Sequence, residues 1–556
     1  MRFLVLFFCL SSYVFGQGFQ TYSTEIGSGI QISYRTLFQS ASLDRPGARV
    51  PMQVKISNKT DETLSWAFKA YDGWGNIADS EFNTSFTVES NAVRTFTLNL
   101  PYNNMDDYHT FYSPSFKISG PGVDVFSNIR PFGEQMTSGK MCTQKAYKKI
   151  QLYSEKERKG KKSQSSGSRA YMLDYEYTYF EIQNLSVNWQ SYSGISEIMM
   201  TAAEFQSLQE EIKSALRDWV VSGGFLILVD PANDLARIKS QSYFHKQETP
   251  GLGAVRFLDK GKRPDSLKSG KRRLAENFFN LEKKNFVKEI SEPKASFIFF
   301  TILLIVFLVL LIPVNFLVFT KKNRLKLLVT TPLISLGASL VFFIVIILSD
   351  GFGGTGVKST LIYLCPELNR CSIYQSQVSR TGIMTSKNFD IQNDLLIDAF
   401  SLTRERWDDS SYPMKAKIVF NDTSVGGDLF NSRTRRFVDI RHVKSTQAAV
   451  ELIAGDKIQL RSSFQSIIKK IYVKNADNKI WMAEDLVPGE AVTAKEISII
   501  DDNEVIENLQ SLMTNESFGF LAVLSEAGEF DIPTHNSIDW QEHRVYAAGI
   551  LKEVKR

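Results

Sequence analysis

The sequence predicts a multidomain membrane protein with an N-terminal β-sandwich, an α/β domain, two transmembrane helices and a C-terminal β-rich, sandwich-like domain. Two segments in the middle of the chain carry the membrane part of this prediction. Residues 295–319 and 327–349 contain no charged side chain, and each is long enough for a helix to cross the hydrocarbon core of a bilayer, which takes about 20 residues. Short alternating apolar and polar runs on both sides of these segments are typical of β-sheet domains.

A short basic loop, residues 320–326, joins the two apolar segments and contains four Lys and Arg residues. By the positive-inside tendency, this loop faces the cytoplasm and the two segments form a helical hairpin. Lys283, Lys284, Lys288 and Lys294 flank the first segment on its other side and oppose this orientation. The alternative, in which one segment is a buried core helix, is disfavoured because two adjacent charge-free segments of this length rarely occur in a soluble core.

The start of the chain favours export. Residues 1–16 contain one cation, Arg2, followed by a short apolar core and small residues. This is the pattern of a secretory signal peptide with cleavage before Gln17. Export and the hairpin together place residues 17–294 and 350–556 outside the cytoplasm. We therefore expect a two-pass protein of the bacterial inner (plasma) membrane, with the lipid bilayer as one partner and both terminal domains extracytoplasmic.

Composition narrows the class of partner. Charged residues make up 22% and hydrophobic residues 43% of the chain, as in ordinary folded domains. The formal charge of +5 is small for 556 residues, so no dedicated nucleic-acid surface is expected. We therefore expect other proteins of the envelope as partners of this exported chain.

Local patterns divide the chain into seven segments. Alternation over Pro51–Ile56 and Leu64–Tyr71, with a polar turn between them, indicates a β-hairpin of a sandwich. This stretch resembles the opening hairpin of immunoglobulin-like adhesion modules in bacterial envelope proteins. A similar hairpin lies at residues 467–493. The predicted segments are a signal peptide (1–16), a β-sandwich (17–130), an α/β domain (131–290), the first transmembrane helix (295–319), a cytoplasmic loop (320–326), the second transmembrane helix (327–349) and an extracytoplasmic β-rich domain (350–556).

The best defined local pattern predicts a βαβ unit between residues 197 and 229. A short apolar strand ends at Met200. Two overlapping capping boxes follow, Thr201 with Glu204 and Ser207 with Glu210. Apolar residues at 3- and 4-residue spacing from 208 to 220 then predict one buried helical face, and the glycine at 223 ends the helix. The continuous apolar run at residues 225–229 is typical of a strand buried on both faces.

These residues also carry a family resemblance. The stretch NWQSYSGISEIMM, the stretch LQEEIKSALRDWVVSGGFLILVD and the later GLGAVRFLD, together with PVN at 313–315 and the basic loop, resemble bacterial membrane proteins that have a class I glutamine amidotransferase-like (flavodoxin-like) extracytoplasmic domain before a transmembrane hairpin. The resemblance covers roughly residues 170–350. It implies a flavodoxin-like α/β domain. In active members of that superfamily, a cysteine nucleophile lies on a strand-to-helix elbow with a His–Glu pair behind it.

This chain departs from the catalytic pattern. The run at 225–229 is followed by Asp230-Pro-Ala-Asn233, with no cysteine or serine where an elbow would lie. Cys142 lies in a polar stretch, and His245 is the only histidine of that region. Because a thiol nucleophile needs a neighbouring base, we expect a catalytically silent domain with no catalytic residues. Asp230 and Asn233 at the end of the strand indicate a ligand crevice, since open α/β sheets bind ligands there. The alternative for both residues is an ordinary turn.

The sequence predicts no metal or cofactor site, because the five histidines are scattered without ligand spacing. They are His109, His245, His442, His535 and His543. Cys365 and Cys371 lie between two strand-like runs, which predicts a disulfide in an oxidising compartment. The alternative is two buried thiols. Cys142 has no evident mate.

The leading functional hypothesis is a non-enzymatic inner-membrane envelope protein that presents binding or scaffolding domains to the periplasm. It follows from three folded external regions and the lack of a catalytic set. One alternative is an accessory subunit of an ABC-type transport complex, although neither apolar segment has a charge to mark an ion route. Another is a hydrolase or amidotransferase with an unplaced nucleophile, for which Cys142 is the candidate.

Overall fold

The computed structural model is mostly β-sheet. It describes residues 22–26, 29–37, 49–74, 77–101, 115–128, 139–150, 177–229, 251–258, 297–309, 327–391, 394–401, 417–421, 423–453, 457–498 and 518–554. The predicted signal peptide, the basic loop, Asp230 and Asn233 lie outside these residues.

The N-terminal region forms two sheets packed face to face. Its strands are β1 (Tyr22–Ile26), β2 (Ile30–Thr36), β3 (Arg49–Asn58), β4 (Leu64–Trp74), β5 (Ile77–Val88), β6 (Ala92–Pro101), β7 (Ser115–Gly120) and β8 (Val123–Asn128). One sheet has the order β1-β2-β3-β6, and the other contains β5-β4-β7-β8. Alternate residues of β3, such as Met52, Val54 and Ile56, are fully buried because successive side chains of a strand point to opposite faces. They pack against Trp66, Phe68 and other residues of the second sheet.

The middle region forms a five-stranded, entirely parallel sheet. Its elements are β9 (Lys140–Thr143), β10 (Tyr177–Phe180), β11 (Glu197–Thr201), α1 (Ala202–Ser207), α2 (Glu210–Val221), β12 (Phe225–Val229) and β13 (Ala254–Leu258). The strand order is β10-β9-β11-β12-β13. β11, α2 and β12 form the predicted βαβ unit, with β11 and β12 in parallel register.

The turns of this unit follow the sequence in part. Thr201 and Glu204 form the predicted capping box at the start of α1. The second predicted box is wrong: α2 has Gln209 as its N-cap, without a side-chain cap, and Ser207 donates to the Glu204 carbonyl oxygen instead. Gly223 follows the end of α2 with φ = 112°, a conformation that glycine adopts at little cost. At Gly224 a Cβ atom would lie 2.2 Å from the Trp219 ring, so this close packing requires glycine.

Two further helices follow, α3 (Phe297–Val309) and α4 (Leu327–Asp350). α3 has 13 residues and α4 has 24. Among the described residues, no helix is both long and apolar enough to cross a membrane. This finding corrects the predicted transmembrane helices at 295–319 and 327–349 and, with them, the inner-membrane localisation.

The C-terminal region begins after α4 and contains sixteen strands. They are β14 (Gly354–Cys365), β15 (Arg370–Thr381), β16 (Phe389–Asp390), β17 (Leu396–Ser401), β18 (Ile418–Phe420), β19 (Ser424–Gly427), β20 (Arg435–Ser445), β21 (Val450–Ile453), β22 (Gln459–Ser462), β23 (Ile468–Lys474), β24 (Ile480–Leu486), β25 (Ala491–Thr493), β26 (Lys495–Ile497), β27 (Gly519–Leu524), β28 (Ile538–Ile550) and β29 (Lys552–Val554).

Nine of these strands form one large sheet in the order β17-β20-β15-β14-β28-β27-β23-β24-β26, and four form a smaller sheet in the order β25-β22-β21-β29. The remaining three join the N-terminal sandwich. β18 pairs in parallel with β5, which extends the second N-terminal sheet to the order β16-β19-β18-β5-β4-β7-β8. The predicted fold class did not include this sharing of strands.

The sequence predicted a separate flavodoxin-like (amidotransferase-like) domain ahead of a membrane hairpin. This prediction is wrong, because the parallel sheet shares a core with the C-terminal region. One core contains Trp219 and Val220 of α2 together with Leu361, Tyr374 and Tyr472 of the nine-stranded sheet. α2 contacts β15 and β20 of the nine-stranded sheet as well as β13 of the parallel sheet. The fold class is corrected to a mostly β-sheet assembly without a described membrane-spanning helix.

Candidate functional site

The carboxyl edge of the parallel sheet, where a ligand crevice was expected, is bridged by side chains at β9 and β11. The Thr143 hydroxyl donates to Glu204 Oε2 over 2.7 Å, and the backbone N–H and hydroxyl of Thr201 donate to the same oxygen over 2.9 Å each. Glu204 is 6% exposed. The gap between these two strand ends, which holds ligands in many open α/β sheets, is thus occupied by the capping-box carboxylate. Asp230 and Asn233, the predicted crevice residues, lie outside the described residues.

Cys142, the candidate nucleophile, is unsuited to thiolate chemistry. It lies within β9 and is fully buried. Burial raises the pKa of the Cys142 thiol far above its ordinary value, and the carboxylates of Glu197 and Glu204 act in the same direction. A reactive cysteine needs an electropositive, partly exposed environment. Cys142 is instead buried and lies near two carboxylates.

The predicted Cys365–Cys371 disulfide is absent because of strand register. In the β14–β15 hairpin, Leu364 pairs with Cys371 and Cys365 pairs with Arg370. A shift of one residue places the two sulfurs on opposite faces of the sheet: Cys371 packs in one core and Cys365 in another. Both are buried cysteines, and burial raises the pKa of Cys371 to about 12.

A buried polar cluster that the sequence did not predict lies where residues 531–535 cross strands β14 and β15. The Thr360 hydroxyl and His543 Nε2 are 2.8 Å apart. Both atoms of the Gln375 amide group bind the backbone of Ile532, over 2.9 and 3.0 Å. The Lys358 ammonium binds both carboxylate oxygens of Asp531 over 2.7 Å. Sequence spacing could not reveal this cluster, because its partners are 15 to 183 residues apart in the chain.

This cluster holds its histidine neutral. Burial lowers the pKa of His543 to about 4, and the Lys358 ammonium acts in the same direction, while Asp531 opposes both. Since Thr360 is fully buried, a substrate could not reach its hydroxyl. The arrangement fastens the 531–535 segment to the sheet. Among the described residues, no group of three or more His, Cys, Asp and Glu side chains could hold a metal ion.

Charged groups also join α2 to the nine-stranded sheet. Arg370 Nε donates to Asp218 Oδ1 over 2.9 Å, and the Tyr374 hydroxyl donates to the Ser222 carbonyl oxygen over 2.8 Å. Nearby, His442 Nδ1 lies 3.4 Å from Asp394 Oδ2. Burial raises the pKa of Asp218 and lowers that of His442, although their partners of opposite charge counteract both shifts.

The three regions meet at residues 188–193, here named the junction segment. Its Ser193 hydroxyl accepts from the Arg49 backbone N–H over 2.8 Å, and its Ser191 hydroxyl donates to Asn99 Oδ1 over 2.6 Å. Gln190 Nε2 donates to the Leu395 carbonyl oxygen, beside β17, over 2.9 Å. These three contacts use buried or part-buried groups, so one short segment fixes the N-terminal sheets and the C-terminal sheet against the α/β region.

Arg49 strengthens the same junction. It is 6% exposed, and its guanidinium carbon lies 4.0 Å from the centre of the Phe420 ring on β18. Burial lowers the pKa of Arg49 to about 10, although the Asp398 carboxylate acts to raise it. A single side chain of β3 thereby contacts a strand that lies more than 350 residues later.

Comparison with known protein families and with curated proteins finds no match to this chain. The function is therefore argued from the geometry of the described residues.

Proposed function

We propose that the protein is a non-enzymatic scaffold that holds its β-rich regions in a fixed arrangement and binds partner proteins on them. The junction segment is the observation that carries this proposal. Gln190, Ser191 and Ser193 use buried side chains to join three regions of the chain, and rigid, preorganised surfaces lose little conformational entropy on binding.

Two features of the candidate sites support the same function. The carboxyl edge of the parallel sheet is bridged by Glu204, and Cys142 is buried among carboxylates. Neither place offers the accessible, activated group that nucleophilic catalysis needs. A binding role uses the outer surfaces of the sheets instead.

Site-specific photo-crosslinking in the native host tests this function. A benzophenone amino acid replaces Val93, Val187 or Ile467, large apolar side chains that are 54%, 63% and 42% exposed. We expect a discrete, reproducible protein adduct from at least one position. The matched control is Leu98, which is 8% exposed on the strand that carries Val93, and which should give none.

The same host provides a test of the enzymatic alternative. A strain with Cys142→Ser as its only copy should keep the wild-type phenotype and the same adducts. The proposal is wrong if no exposed position gives an adduct, or if Cys142→Ser abolishes the phenotype while the protein remains folded.

A further inference from the structure

One edge of the N-terminal sandwich is only partly covered. β5 pairs with β4 along its length, but on its other edge it pairs with β18 only at Ser80, Glu81 and Phe82. Asn421, just after β18, also contacts β5: Asn83 Nδ2 donates to Asn421 Oδ1 over 3.4 Å. The chain then turns back into β19. Within the described chain, no strand pairs with residues 83–87 on this edge, so alternate backbone N–H and C=O groups face outward.

This edge differs in chemistry from the other described edges. Residues 83–87 read Asn-Thr-Ser-Phe-Thr, without a charge, a proline or a glycine. Natural proteins usually protect sheet edges with charged side chains, proline or very short strands. The other described edge strands either have four or fewer residues or carry such a group: Glu25 on β1, Arg94 and Pro101 on β6, Asp124 on β8, Arg256 on β13 and Asp398 on β17. On β5, Glu81 lies where β18 is already paired, outside residues 83–87.

Apolar side chains lie on one face of the sheet beside the open edge. Phe86 is buried and its ring lies 4.5 Å from that of Phe96, which is half-buried on β6. Ser85 and Thr87 are exposed on the opposite face of β5. The strand already seated on this edge follows the same alternation, since Ile418 and Phe420 of β18 are buried while the residue between them is half-buried.

Ionic contacts hold β18 in place at the start of this edge. Glu81 of β5 forms two ion pairs. Its Oε1 lies 2.6 Å from Lys69 Nζ of β4, and its Oε2 lies 3.2 Å from Nζ of Lys417, which precedes β18. Burial acts to raise the pKa of Glu81, yet its hydrogen bonds with both lysines and with Asn83 keep that pKa below its ordinary value. The carboxylate therefore stays ionised and keeps β18 fixed, so that the part of the edge with which no described strand pairs begins at Asn83.

We propose that residues 83–87 bind an extended segment of a partner polypeptide by strand addition, in line with β18. The bound segment has apolar side chains at alternate positions facing Phe86 and Phe96, while its polar side chains follow Ser85 and Thr87 outward. This inference rests on the proposed function and names the chemical class of the partner. A second copy of this chain fits less well: antiparallel self-pairing centred on Ser85 would bring residue 88 of the copy opposite Phe82, where Phe420 already pairs.

Peptide binding to the purified full chain tests the proposal. The probe is a fluorescein-labelled heptapeptide of alternating threonine and valine, measured by anisotropy. We expect saturable binding. Two N-methylated versions, blocked at the odd or at the even positions, distinguish strand addition from apolar adhesion, because an added strand uses the N–H groups of alternate residues only. One version should bind at least about tenfold more weakly and the other should bind like the parent peptide.

Two protein variants locate the site. Ser85→Lys with Thr87→Lys places two cations on the edge and should weaken binding at least about tenfold, because lysine on an edge strand opposes strand addition. The matched control is Ser65→Lys on the central strand β4, where the Ser65 hydroxyl lies 2.9 Å from that of Thr87. It should leave binding unchanged, and circular dichroism checks that all variants are folded.

The inference is overturned by the absence of saturable binding, by equal effects of the two N-methylations, or by equal loss in both protein variants. Each of these outcomes leaves the proposed function standing if protein adducts still form at Val187 or Ile467, which lie outside β5 and β6.

Discussion

At the scale of single residues, Arg49 shows how a buried charge can hold distant segments together. Its backbone binds the junction segment, its guanidinium lies over Phe420, and the Asp398 carboxylate interacts favourably with its charge. Removing one member of a buried charged pair is costly because the other charge is left uncompensated. We therefore expect Arg49 to contribute more to the free energy of unfolding than a surface ion pair does.

Arg49→Ala should lower the free energy of unfolding by about 3 kcal/mol, since it removes a buried cation that packs on Phe420 and interacts favourably with Asp398. Urea denaturation followed by fluorescence measures the change. Arg94→Ala is the control, because Arg94 and its partner Glu89 are both more than half exposed, and it should leave the free energy of unfolding nearly unchanged. Similar losses in both variants would contradict this account.

The cysteines show what a residue pattern leaves open. Cys365 and Cys371 are near in sequence and lie in one hairpin, as predicted, but their relation depends on strand register. The left-handed Asn369 fixes that register at the turn, and a sequence pattern does not show it. Buried partnerships such as Arg49 with Phe420 leave no signal in spacing at all.

At the scale of elements, local patterns were the most informative. The strand at 197–201, the helix ending before Gly223 and the buried strand at 225–229 were predicted because adjacent residues determine them. The pairing of β18 with β5 was not, since Ile418 and Ser80 are brought together only by the complete fold. The bridge between Thr143 and Glu204 at the carboxyl edge has a similar explanation, since these two residues are 61 positions apart in the chain.

The polar cluster under residues 531–535 makes stability depend on pH. The folded-state pKa of His543, about 4, is below its ordinary value of 6.5. As pH falls through 6.5, the unfolded chain therefore takes up a proton that the folded chain excludes, and the folded state loses stability. Between pH 7 and pH 5 this group should account for a loss of roughly 2 kcal/mol.

Urea titrations at both pH values measure this effect in the wild type and in His543→Gln, whose amide can keep a hydrogen bond with Thr360. The variant should show a smaller loss of stability between pH 7 and pH 5, by roughly 2 kcal/mol. Equal losses in the two proteins would mean that His543 does not carry the dependence. Burial of His442 lowers its pKa in the same direction, so part of the loss should remain in the variant.

At the scale of the whole molecule, the junction segment joins regions that the sequence predicted as separate domains. The core that contains Trp219 continues into the nine-stranded sheet through Leu361 and Tyr374. We therefore expect the α/β region and the nine-stranded sheet to unfold together, since cooperative units follow shared cores.

Gln190→Ala should lower the free energy of unfolding by about 1–2 kcal/mol, because the Leu395 carbonyl oxygen loses its buried donor. Limited proteolysis should also cleave the variant faster than the wild type. Gln183→Ala is the matched control: this glutamine is exposed and binds only the neighbouring Glu181 side chain. Equal protease resistance of all three proteins would show that the junction segment does not fix the regions.

The parallel pairing of β14 with β28, the longest among the described strands, has a consequence for biosynthesis. β14 lies in the interior of the nine-stranded sheet, yet residues 366–537 must be translated before its neighbour β28 begins. Throughout that interval the nascent chain carries a 12-residue strand with one edge unpaired. Slow, non-local closure of this kind exposes a chain to aggregation, so ribosome-bound intermediates should depend on chaperones until β28 has emerged.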